Sequence, residues 1–106
     1  ERDHHADAVA AYRKALELDP KLTGVHAKVG ASLERMNKLD EAAKELELAS
    51  KEEPLLPETF RSLGYIYKGK GRRKEAIAAF NKYLELKPDA SDKEEVSDQL
   101  LYLKER

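Results

Sequence analysis

The chain has 106 residues, of which 20 are Lys or Arg and 21 are Asp or Glu, so a highly charged sequence carries a net charge of only -1. That balance excludes the global field that draws a polycation to nucleic acid or to an anionic membrane, and the absence of Cys excludes a disulfide scaffold and thiolate chemistry. No apolar run approaches the roughly 18 residues that span a bilayer, so no membrane insertion is expected. The opening residues, ERDHHADA, are unlike a signal peptide. Lack of Cys fits cytoplasm and periplasm alike, and the cytoplasm is the default expectation.

Taken in chain order, apolar spacing predicts a helix over Ala6 to Asp19, stopped by Pro20. A helical pair follows, broken at Asn37 and stopped by Pro54. A second pair is broken at Gly71 and stopped by Pro88. Asn and Gly are the residue types that most readily take the left-handed conformation ending a helix. Ser91, with Glu94 three residues on, reads as a capping box opening a last helix with one apolar stripe of Val96, Leu100 and Leu103.

These elements repeat. Pro20, Pro54 and Pro88 lie 34 residues apart, as do Ala8, Ala42 and Ala76, and AVAAYRKALELDP returns two periods later as AIAAFNKYLELKP. A fixed period without insertions describes units stacked in one way, whose working surface is an extended face. The pattern resembles the tetratricopeptide repeats, helical hairpins of 34 residues. With Pro57 as the first position, the family's expected residues fall at Phe60, Leu63, Gly64, Tyr67, Gly71, Ala76, Phe80 and Pro88, while Tyr83 stands at a usually small site. The unit from Thr23 matches at Val29, Gly30, Leu33, Ala42, Leu46, Ala49 and Pro54, with His26 at an apolar site and Asn37 for Gly.

The expected fold is all-α, a right-handed superhelix of antiparallel hairpins forming one domain over residues 1–106. Its parts are a half repeat (1–22), two repeats (23–56 and 57–90) and a capping helix (91–106). Gly30 and Gly64 should face the partner helix of their own hairpin, opposed by the small Ala42 and Ala76. Tyr12, Leu46 and Phe80 are expected to fill gaps between hairpins. Asp98 stands where Gly30 and Gly64 stood, so no further helix should pack there. The helix from Ala6 has no partner before it, which suggests a piece of a longer array with Ala8, Ala11 and Ala15 left partly bare.

Such a resemblance implies a scaffold that receives a peptide or helix of a partner protein in a concave groove lined by the first helix of each hairpin. The groove residues projected from the repeat positions include Lys28, Arg35, Arg61, Tyr65 and Lys68. Arg61, Tyr65 and Lys68 share one helix face, with Tyr65 expected to be exposed, and suit an acidic or aromatic peptide. The lysine and asparagine clamp that some members use for chaperone C-termini is not supported, because its sites hold Ala27, Arg61, Ala31 and Tyr65.

Two other readings remain open. The bare N-terminal helix could drive homo-oligomerisation. The turn KGKGRRK, Lys68 to Lys74, could hold phosphate or a nucleic-acid backbone, although it lacks P-loop spacing and reads first as a solvated turn, so no nucleic-acid partner is expected. His4 and His5, placed in a turn beside Asp3 and Asp7, are poorly disposed to bind metal, and His26 reads as a packing residue. No nucleophile has an evident His and acid partner, so no enzyme activity, metal or cofactor is expected.

Overall fold

The computed structural model describes residues 2–105, and among these it contains α-helices and no strand. In chain order they are α1 (Arg2–Leu18), α2 (Val25–Arg35), α3 (Leu39–Glu52), α4 (Pro57–Gly69), α5 (Arg73–Leu86) and α6 (Lys93–Lys104). The chain divides into two compact units, one ending at Pro54 and the other beginning at Leu55. In the first, α2 and α3 pair as a hairpin and α1 lies on α2; in the second, α4 and α5 pair and α6 lies on α5.

Helix ends follow the residues that the repeat supplies. Asn37 has φ 60° and Gly71 has φ 75°. At each, two amides turn back onto the helix just ended: Lys38 N–H to Leu33 O and Asn37 N–H to Glu34 O, then Arg72 N–H to Tyr67 O and Gly71 N–H to Lys68 O. This paired closure satisfies carbonyls that the helix end would otherwise leave bare. Arg72 also lies 5.0 Å over the Tyr67 ring, so the residue past the turn packs on the last turn of α4. Glu53 and Lys87, the residues before Pro54 and Pro88, leave helical geometry at φ -131° and -138°, as proline requires of its predecessor.

The hairpin cores rest on glycine. A Cβ on Gly64 would lie 2.5 Å from the Phe80 ring, and one on Gly30 would lie 2.6 Å from the Leu46 side chain. Ala42 and Ala76 are fully buried, as are Phe80 and Val29. Burying one such aromatic ring contributes about 1.5–3 kcal/mol. Leu46 and Phe80 therefore fill space inside their own hairpins, beneath the glycine, and this corrects their assignment to the gaps between hairpins.

Three expectations change at the boundaries. Helix α1 begins at Arg2, so His4 and His5 are consecutive helical residues and not part of a turn; no Gly or Pro stands there to stop the helix. Their side chains point in different directions, the side chain of Asp3 lies outside the described residues, and the described residues hold no cluster of three metal-ligating groups. At the other end, Ser91 does not cap α6. The helix starts at Lys93 after Asp92, with no side-chain capping bond, because the Asp92 carboxylate is held by other partners.

Candidate binding surfaces

In the first unit, His5, Tyr12, Lys28, Ala31, Ser32 and Arg35 line a shallow cleft of about 220 Å³ between α1 and α2. The four α2 residues recur at i, i+3, i+4 and i+7, so helical geometry places them in one stripe. Lys28 and Arg35 are exposed, and neither forms an ion pair among the described residues. Partial burial of its ring, then nearby positive charge including Arg35, holds His5 below the usual histidine range. Lys28 and Arg35 give the cleft a positive charge that neutral pH does not remove.

Behind the cleft lies a polar link that the apolar expectation for His26 missed. His26 Nδ1 is 2.8 Å from Glu45 Oε1, and its Nε2 is 3.7 Å from Glu52 Oε2. Arg13 on α1 also reaches Glu45, at 3.7 Å. Glu45 and Glu52 are seven residues apart and so share a face of α3, the sequence signal that could have announced this bridge.

In the second unit, Arg61 and Tyr65 meet as their spacing predicts, with the guanidinium 5.5 Å from the ring centroid. Tyr65 is half-buried, not exposed as expected, because its ring packs edge-on against Phe80 at 4.9 Å and 83°. Arg61 also donates from Nε to Asp92 Oδ2 at 2.6 Å, and the Tyr83 hydroxyl donates to Asp92 Oδ1 at 2.7 Å. The Tyr83 bond, and then Arg61, hold the Asp92 carboxyl below its ordinary range against the opposing effect of burial. Burial, reinforced by the Asp92 hydrogen bond and charge, pushes Tyr83 up to about 12.

Lys68 meets a different ring, its Nζ lying 5.2 Å from the centroid of Tyr102 on α6. Together with Gly71, Arg73 and Leu103, these two residues line a cavity of about 390 Å³. In the basic turn itself, Arg72 is engaged internally: Nε and the Nη2 amine donate to Glu75 at 2.7 Å each, beside the Tyr67 contact. The cation that would sit nearest the glycine turn is thus committed to its own helix.

The model of the tetratricopeptide-repeat family matches residues 3–22 and 62–90. The chain is also 31% identical over 81 residues to small glutamine-rich tetratricopeptide repeat-containing protein 2 of Mycosarcoma maydis. This chain belongs to the tetratricopeptide-repeat family. That relative is matched over 76% of the present repeat chain, which spans only 23% of the relative's own length.

Solved structures show the same tetratricopeptide fold. The first repeat domain of Spaghetti (RPAP3), determined with the HSP90 peptide SRMEEVD, matches with a TM-score of 0.83 at 18% identity, over 97% of this chain and 79% of that one. MamA from Desulfovibrio magneticus RS-1 matches with a TM-score of 0.77 at 20% identity, over 97% of this chain and 66% of that one. Outside the matched family segments lies the repeat containing His26 and Asn37, which departs from the family pattern at those two positions. Its hairpin is nevertheless built in the same way, with Gly30 over Leu46 as Gly64 lies over Phe80.

Proposed function

We propose that this tetratricopeptide-repeat chain is a protein-interaction module that takes an acidic segment of a partner polypeptide in the cleft between α1 and α2. The observation that carries this reading is the α1–α2 cleft, where two cations unpaired among the described residues, Lys28 and Arg35, flank small Ala31 and a partly exposed Tyr12. Free cations beside an aromatic ring suit a carboxylate-bearing chain, and Arg and Tyr often dominate interface energies. The similarity to a repeat domain solved with a bound peptide supports a peptide as the ligand class. In the second unit, Arg61, Tyr65 and Lys68 form a separate pre-arranged surface for such a ligand, since each already has a side-chain contact.

Affinity capture from lysate with the wild-type chain and with Lys28→Glu/Arg35→Glu tests the assignment. These positions are exposed, so the variant should keep its helicity by circular dichroism while losing the captured partner. Identical captures from both proteins would remove α2 from the binding surface. Arg61→Glu is a poorer probe, because it would face Asp92 with a like charge and disturb α6 as well as any ligand.

A second reading, self-assembly through α1, is supported by a contrast in burial at equivalent repeat positions. Ala42 and Ala76 are fully buried, and Leu46 and Phe80 are 2% and 0% exposed. Their counterparts Ala8 and Tyr12 are only partly covered.

A further inference from the structure

The cavity in the second unit combines two chemistries that the basic turn alone does not. Its floor is apolar, made of buried Leu103 and the half-exposed ring of Tyr102. Its rim is cationic, made of Lys68 and Arg73. An ammonium resting over a ring face keeps hydrogen-bond donors directed away from the ring, so Lys68 can still meet an anion. Arg73 is exposed at the start of α5 and has no carboxylate partner among the described residues. On the turn side, Gly71 leaves the wall open, since a Cβ there would meet nothing within 4 Å.

A volume of about 390 Å³ lies at the low end of the ~300–1,000 Å³ typical of ligand sites. A bare inorganic anion would engage the rim and leave the Tyr102–Leu103 floor uncovered. A purely apolar group would fill the floor and leave both cations unmatched. The site therefore favours a ligand that brings a ring and a negative charge to the same side. In an extended peptide, side chains two positions apart point the same way, about 7 Å from one another.

We propose that this pocket binds an extended peptide segment in which an aromatic residue lies two positions from Asp or Glu, the ring against Tyr102 and Leu103 and the carboxylate between Lys68 and Arg73. The assignment rests on the interaction-module reading but uses a different unit from the α1–α2 cleft, so the two can fail separately.

The test is a titration of the 15N-labelled chain with the end-blocked peptide acetyl-Gly-Phe-Ser-Glu-Gly-amide, which carries no terminal charge. Amide shifts are expected at Lys68, Gly71, Arg73, Tyr102 and Leu103. Replacing Phe by Ala or Glu by Gln in the peptide, or making Tyr102→Ala or Arg73→Ala in the chain, should weaken binding by about fivefold or more. Each protein variant should keep its helices by circular dichroism, because both side chains are exposed. Equal binding of the peptide without its ring would overturn the proposal, as would the same shifts produced by inorganic phosphate alone. Shifts confined to Lys28, Ala31 and Arg35 would overturn it while supporting the α2 reading; shifts confined to the pocket support it and leave the α1–α2 cleft to its own charge-reversal test.

Discussion

At the scale of single residues, the two hairpins differ in how tightly their glycine is enclosed. A Cβ on Gly64 would meet three atoms of the fully buried Phe80 ring within 2.8 Å, whereas on Gly30 it would meet the branched end of Leu46. A rigid ring cannot yield as a leucine side chain can, and overpacking costs about 1–3 kcal/mol. Gly64→Ala should therefore destabilise the chain by more than Gly30→Ala in urea denaturation, where the gain in helix propensity, about 1 kcal/mol, offsets part of the smaller clash. Asp92 gives a pH-dependent case. Its carboxyl titrates below the ordinary value in the folded chain because of Tyr83 and Arg61, so its contribution is present above the unfolded pKa and is lost as pH falls through the folded one. Asp92→Asn should cost about 1–2 kcal/mol at neutral pH, and the gap between variant and wild type should close in acid. A constant gap across thermal melts from pH 7 to acid would show that the charge on Asp92 does not matter.

At the scale of elements, the helix ends show what the sequence could announce and what it could not. Asn37 and Gly71 were legible because few residue types tolerate positive φ, and both take it. Replacing Asn37 by Gly should raise stability by a few tenths of a kcal/mol, while Gly71→Ala should lower it by about 1 kcal/mol, both readable as shifts in urea midpoint at constant slope. The proline stops were legible for the same steric reason. The start of α6 was not, since Ser91 and Glu94 satisfy a local capping pattern while Asp92 is claimed by residues one and two helices away. Local patterns do not register such distant partners. Tyr65 misled in the same manner: its helical spacing from Arg61 was correct, but its edge-on contact with Phe80 depends on how α4 meets α5. The cleft residues Lys28 and Arg35 could be placed on one face from spacing alone, whereas the pocket floor required knowing that Tyr102 reaches Lys68.

At the scale of the whole molecule, the near-zero net charge leaves association to local surfaces, since little long-range repulsion opposes contact between copies. Helix α1 is where that matters. Its Ala8 and Tyr12 hold the positions that Ala42 and Leu46, or Ala76 and Phe80, fill beneath a covering helix. If this face is covered by another copy, sedimentation should show a mass that rises with protein concentration, and Tyr12→Lys should return the chain to a monomer without loss of helicity. The stoichiometry then identifies the geometry: two identical faces meeting through a two-fold axis stop at the dimer, while α1 meeting a different surface continues to larger species. Salt provides the remaining discrimination, because an apolar contact through α1 should persist as salt rises, whereas capture of an acidic segment by Lys28 and Arg35 should weaken as the Debye length shortens from about 10 Å at 0.1 M. A mass that stays monomeric at every concentration would discard assembly through α1 and leave its face with α2 as one wall of the peptide cleft.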